Sequence, residues 1–184
     1  MKVTNIRFVT LAVIVLAAAL CRLVPHPFNF TPIGAMALFG GAYFTRKAWA
    51  FVVPLLAMLV SDLILGFHSS MWAVYGSFIL IVVLGMVLLR KITVGRILAA
   101  STLSSVLFFL ITNFAVWMHP GSLYPKTFMG LIASYVAGLQ FYQQDIFGNL
   151  FLNTVMGDLF FTTLMVGCFE WLKTKAPALD TVEA

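Results

Sequence analysis

Four polar side chains in an otherwise apolar sequence have the chemistry to hold a small solute: Asp62, Asn113, Asn149 and Asn153. A second carboxylate, Asp158, sits in the last apolar stretch. An Asp near the centre of a membrane helix costs roughly 2.5–3.5 kcal/mol on insertion scales, so such a residue is read as functional or as helix-binding glue. Asp62 has Ser61 beside it as a local partner, but Gly66 and His68 follow closely, which suits a ligand group near a cavity mouth. Asp62 and Asn113 each lie four residues inside the end of an apolar run, about 6 Å deep at the helical rise. Asn149 and Asn153, one turn apart, share that layer, with Asn29, His68, Trp72 and Tyr75 near the mouth alongside His26, Phe28, Phe30 and Trp117. Asp158 is about 15 Å in and turned by about 140° from Asn153, so it points elsewhere. A hydrogen bond from Ser or Thr on a neighbouring helix explains it as well as a ligand role does.

Other chemistries find less support. There is no nucleophile beside a base at a motif spacing, no His-Glu metalloprotease pair and no glycine-rich phosphate loop, so neither an enzyme nor an ATPase is indicated. No cofactor is expected. His26, His68 and His119, with Asp62, supply the ligand types of a metal site, and a metal-ion permease is the alternative they leave open; their spacing matches no recognised pattern. Cys21 and Cys168 fall inside apolar runs, where a buried small hydrophobe is the usual role, and no disulfide framework follows.

The elements that must position these groups are membrane helices. Hydrophobic residues make up 62% of 184 and charged residues 9%, with a mean hydropathy of +1.04, which excludes a solvated globular surface. At about 20 residues per span, the length allows about six spans in a single domain, 1–184. The apolar runs place them at about 6–24, 31–44, 48–67, 71–89, 97–117 and 148–172. The second, with small residues including Gly40 and Gly41, is short enough to need protein rather than lipid around it. Pro54 kinks the third and can help shape a cavity. The first run is read as an uncleaved helix rather than a signal peptide, because it continues through Leu23 and Val24.

Charge sets the orientation. Lys2, Arg7, Arg46, Lys47, Arg90, Lys91, Arg96, Lys173 and Lys175 fall on one side, and Arg22 and Lys126 on the other. The positive-inside rule then puts both termini in the cytoplasm, with the basic residues reporting orientation rather than nucleic-acid binding. Trp49, Trp171, Trp72 and Trp117 fall at span ends as an aromatic belt. The stretch Thr127–Phe141 is read as an interfacial or re-entrant helix over the outer face, and the tail from Ala176 as a short polar end.

Four segments carry a resemblance: RLVPHPFNFTPIGAMALFGGAYF, VPLLAMLVSDLILGFHSSMWAVYGSF, SSVLFFLITNFAVW and NTVMGDLFFT. Together, over about Arg22 to Gly167, they resemble an uncharacterised family of small bacterial inner-membrane proteins, a domain of unknown function. That family is similar in layout, and in the loose pattern of its second and third spans, to the S components of energy-coupling factor (ECF) vitamin transporters. The resemblance implies an all-α fold of six helices with both termini inside, and capture of a vitamin or similar micronutrient from outside, under the loop at His68–Trp72. It also implies docking on a coupling membrane subunit and two ATPases through an Ala-xxx-Ala face on the first helix. Here Ala17, Ala18 and Ala19 are consecutive and that motif is absent, so a solitary protein or another docking face remains open. A structural or assembly subunit without a ligand is a further alternative. With no intramembrane cation evident, Asp62 and Asp158 favour a neutral, donor-rich or cationic solute over an anion.

Overall fold

Small residues decide what sits at the centre. In α2 (Ile33–Tyr43) every residue from Gly34 to Gly41 is buried, and the helix touches α1 (Val3–Cys21), α3 (Lys47–Leu65), α4 (Met71–Leu88), α5 (Val94–Met118) and α7 (Leu150–Lys175). A Cβ on Gly41 would collide with the Val82 carbonyl, one on Gly85 with the Leu38 carbonyl, and one on Gly40 would lie 2.6 Å from Pro54 Cγ. Backbones therefore approach directly along α2, the small-residue mode of helix packing. Pro54 is buried in this contact. The computed structural model describes residues 3–67, 69–140 and 147–180, and these residues form seven α-helices and a terminal 3-10 turn.

Four helices, α3, α4, α5 and α7, are long and apolar enough to cross a membrane; the shorter apolar stretches are Ile6–Cys21, α2 and α6 (Phe128–Leu139). The sequence predicts six spans, and the second of them, expected over 31–44, is a helix of only 11 residues. At 1.5 Å per residue α2 is about 16 Å long, against about 28 Å for α3. Large apolar side chains such as Val13, Leu20, Leu63, Ile64, Phe160 and Leu164 face outward, the arrangement of a bundle whose surroundings are themselves apolar. Cys21 and Cys168 are also on the outside, which corrects their expected burial: each is exposed on the surface of its helix. α6 packs on α5 and α7.

One end of the bundle is closed by a polar clasp. Arg7 donates to the carbonyls of Leu179 and, at 3.2 Å, of Tyr43, with its guanidinium 5.2 Å from the centre of the Phe169 ring. Tyr43 donates to Glu170 at 2.7 Å, and Lys173 pairs with Glu170 and Asp180. Leu179 is buried, so the tail after Ala176 is not a free polar end: its 3-10 turn, Pro177–Leu179, packs on α1 and α7.

Replacing Gly41 with Ala is expected to destabilise the purified protein by about 1–3 kcal/mol, because the methyl group meets backbone that cannot move aside. Gly76, with open space around its Cα, is the control. Thermal unfolding in detergent reads both, with Gly76→Ala unchanged or slightly stabilised.

Candidate functional site

The site begins where α2 fails to reach. α2 ends at Tyr43, in the clasp, and starts at Ile33, well short of the opposite end of α7. The chain between α1 and α2 fills part of the missing height, and a cavity of about 340 Å³ occupies the rest. Its walls carry Arg22, Asp62, Asp158, Asn29, Thr31, Gly34, Ser70, Thr112 and Thr154, with Ile33, Val74 and Phe108 as apolar surface.

Asp62 is ion-paired. Arg22 Nη2 lies 2.8 Å from Asp62 Oδ1, and Tyr75 donates to Oδ2 at 2.8 Å, so both carboxylate oxygens are engaged. Arg22 also donates to Ser61 Oγ and, at 3.5 Å, to the Met58 carbonyl. Ser61 is thus the partner of Arg22, not of Asp62, and its own hydroxyl donates to Met58 O at 2.8 Å. The two charged side chains are only 11% and 7% exposed, which makes this a buried ion pair supported by hydrogen bonds, the condition under which such a pair is tolerated. The expectation of carboxylates without an intramembrane cation is corrected here: Arg22, counted by sequence as a flanking charge, turns inward beside α3.

Asp158 does not point elsewhere; it lines the same cavity as Asp62. It accepts a hydrogen bond from Ser105 at 2.8 Å, while Ser104 Oγ lies beside it without a well-formed bond. Its carboxylate rests against Gly34, where a Cβ would collide with Oδ1 and with Ser104 Oγ, and it faces the Ala35 amide in the first turn of α2. α2 has no side-chain cap of its own. A carboxyl oxygen at a helix start answers the unpaired amides there, so Asp158 serves α2 as an acceptor borrowed from another helix. Both readings drawn from sequence therefore meet at one residue: helix glue and cavity wall.

The three asparagines separate. Asn113 lines an adjoining compartment of about 250 Å³ under α6, with Phe109, Phe151, Tyr124, Ser134 and Gly138, and its amide donates to Phe109 O at 2.9 Å. Asn29, Phe108, Thr112 and Thr154 border both compartments. Asn149 is the N-cap of α7, accepting from Leu152 N at 2.7 Å. Asn153 donates to the Phe28 carbonyl at 2.6 Å and, with Phe30 packed on Phe147, Phe160 and Phe161, pins the aromatic loop to α7. One turn on, Gly157 lets the backbone of Phe30 and Thr31 approach closely. Asn29 itself adopts φ 62, a left-handed conformation that Asn tolerates better than most residues. α7 thus uses Asn153, Gly157 and Phe161 to hold the loop, and Thr154 and Asp158 to line the cavity.

Other expected site residues lie apart. Trp72 is exposed and borders neither compartment. His68 lies outside the described residues. His26 and His119 are exposed, with His26 Nδ1 near Pro27 O and His119 Nδ1 accepting from Gly121 N, and no three His, Cys, Asp or Glu residues cluster as metal ligands among the described residues. Sequence reasoning missed Arg22, Thr31, Gly34, Thr112 and Thr154. For Arg22 the signal was available: a single cation inside an apolar run that continues through Leu23 and Val24.

The model of a family of unknown function, DUF6580, matches residues 2–179, and the chain belongs to that family. No curated protein and no solved structure matches it.

Removing either member of the Arg22–Asp62 pair leaves a buried charge unanswered, at a cost of about 3–5 kcal/mol. Arg22→Gln and Asp62→Asn are each expected to lower thermal stability, and the double variant to recover much of the loss. Unfolding of the four proteins in one detergent measures the coupling; additive losses would contradict it.

Proposed function

We propose that this chain is the solute-capturing unit of an uptake system in the bacterial cytoplasmic membrane, taking a vitamin or similar micronutrient from the outer face. The observation that carries this reading is the cavity above the start of α2, where charged and hydroxyl side chains line a recess inside an apolar bundle. Pockets of about 300–1,000 Å³ with a few placed polar groups on largely apolar walls are the usual form of a small-molecule site. A helix that begins part-way through a membrane, with its amide end facing a polar recess, recurs where membrane proteins bind solutes.

The orientation follows from charge. Arg7, Lys173 and the loops at Arg46–Lys47 and Arg90–Arg96 lie toward the clasp end, while Arg22 and Lys126 belong to the cavity end. The positive-inside rule then turns the cavity outward and leaves both termini in the cytoplasm. In this reading α1 and α2 join the four long helices as six crossings. The short α2 is surrounded by α1, α3, α4, α5 and α7, as a helix too short to span by itself requires. Six crossings, both termini inside and an outward recess match the layout of ECF S components, and a coupling membrane subunit with ATPases is the partner that likeness suggests. The first helix lacks Ala-xxx-Ala, so docking would use another face.

Thr154 stands at the junction of the two compartments, and among the described residues its hydroxyl bonds within its own helix, to Leu150 O at 2.9 Å. Purified gently in detergent and examined by native mass spectrometry, the wild-type protein is expected to carry an organic mass that Thr154→Phe, made at equal yield, does not. A wild-type protein that arrives empty and takes up nothing from a micronutrient-rich extract would overturn the capture reading.

A further inference from the structure

The two compartments differ in chemistry, and the difference specifies a ligand. Around the start of α2 the ionisable side chains are Arg22, Asp62 and Asp158, one basic and two acidic. Arg22 is committed to Asp62 at 2.8 Å, and both oxygens of Asp62 are engaged. Asp158 accepts from Ser105 at 2.8 Å, with Ser104 and the Ala35 amide beside it, and among the described residues it forms no ion pair. An anion entering here would have to displace Asp62 from Arg22 and sit beside a second carboxylate, whereas a cationic or donor-rich group meets Asp158 without breaking a pair. The adjoining compartment is walled by rings: Phe109 and Phe151 meet edge to face, with centroids 5.1 Å apart, beside Phe108 and Tyr124. Its volume is about 250 Å³, and an apolar cavity of about 150 Å³ in another protein suffices for benzene. Thr112 and Thr154 border both halves, so one molecule can span them.

Resting on the capture reading, we propose that the solute is a two-part molecule: a planar aromatic or heteroaromatic ring held among Phe108, Phe109 and Phe151, joined by a short link to a cationic or multiply protonated nitrogen group held by Asp158. The ring supplies apolar burial and edge-to-face contact. The nitrogen group supplies Asp158 with a donor and a countercharge that none of the described residues brings to it in an ion pair.

Four probes separate the contributions: phenethylamine, phenethyl alcohol, phenylacetate and butylamine, titrated into the full detergent-purified chain with heat or tryptophan fluorescence as readout. Phenethylamine is expected to bind about tenfold or more tighter than phenethyl alcohol and butylamine, and phenylacetate weakest. Asp158→Asn should erase the preference for amine over alcohol, and Phe109→Ala should narrow the gap between phenethylamine and butylamine. Should Asp158→Asn fail to accumulate, the wild-type ranking alone decides. Phenylacetate binding as well as the amine, or butylamine matching phenethylamine, would overturn the two-part ligand and leave capture standing. So would a retained solute of another class, found by native mass spectrometry, with no probe bound. The absence of both probe binding and a retained solute would overturn the capture reading itself.

Discussion

A helix that starts in the middle of an apolar bundle exposes amides that nothing nearby is obliged to answer. In water the solvent would meet them; among apolar side chains each unmet group costs free energy. α2 has Pro32 as its N-cap, without a side-chain bond, so the answer comes from α7 through Asp158. That carboxylate must approach the first turn closely, which only a residue without a side chain at position 34 permits. It must also be held, and α5 supplies Ser105. Three helices are fixed relative to one another by this single requirement.

The cavity is the other face of the same constraint. Because α2 stops short, the height it leaves has to be filled by something polar enough to sit over amides and apolar enough to sit inside a bundle. The loop after α1 does part of this, with Asn153 and Phe30 holding it to α7. Arg22 and Asp62 do another part, cancelling each other's charge as they line the wall. A recess with fixed dipoles, a satisfied ion pair and one carboxyl group that forms no ion pair among the described residues is the remainder.

How much of this was legible depended on whether the information was local. The shortness of the second apolar run was readable from its flanks, and its shielding followed from lipid physics. Asp62 stood out by type and setting, but its partner did not, because pairing with Arg22 depends on how α1 lies against α3 rather than on spacing. Asp158 was misplaced by a helical-wheel argument that allowed the cavity only one face of α7. The cavity and the loop instead share that helix, on neighbouring stripes offset by one residue. Asn149 and Asn153 were found by their chemistry and misread in role, since Asn serves caps and backbone anchors as readily as ligands. Leu179 was hidden for a different reason: a short tail after a long helix carries no periodicity to mark it as packed.

The bond between Asn153 and the Phe28 carbonyl joins residues 125 apart in the chain. Asp158, which answers the start of α2, comes later still. While the ribosome is still making the middle of the protein, α2 therefore has neither its borrowed acceptor nor its anchored loop, and the recess does not exist. The recess can close only after α7 has entered, so a late segment of the chain completes the first half of the structure. Contacts of this sequence separation form late. Assembly of the recess is accordingly a post-insertion event, and a chain interrupted before α7 would leave an uncapped half-helix inside the bundle, the kind of exposed polar backbone that marks a membrane protein as unfinished.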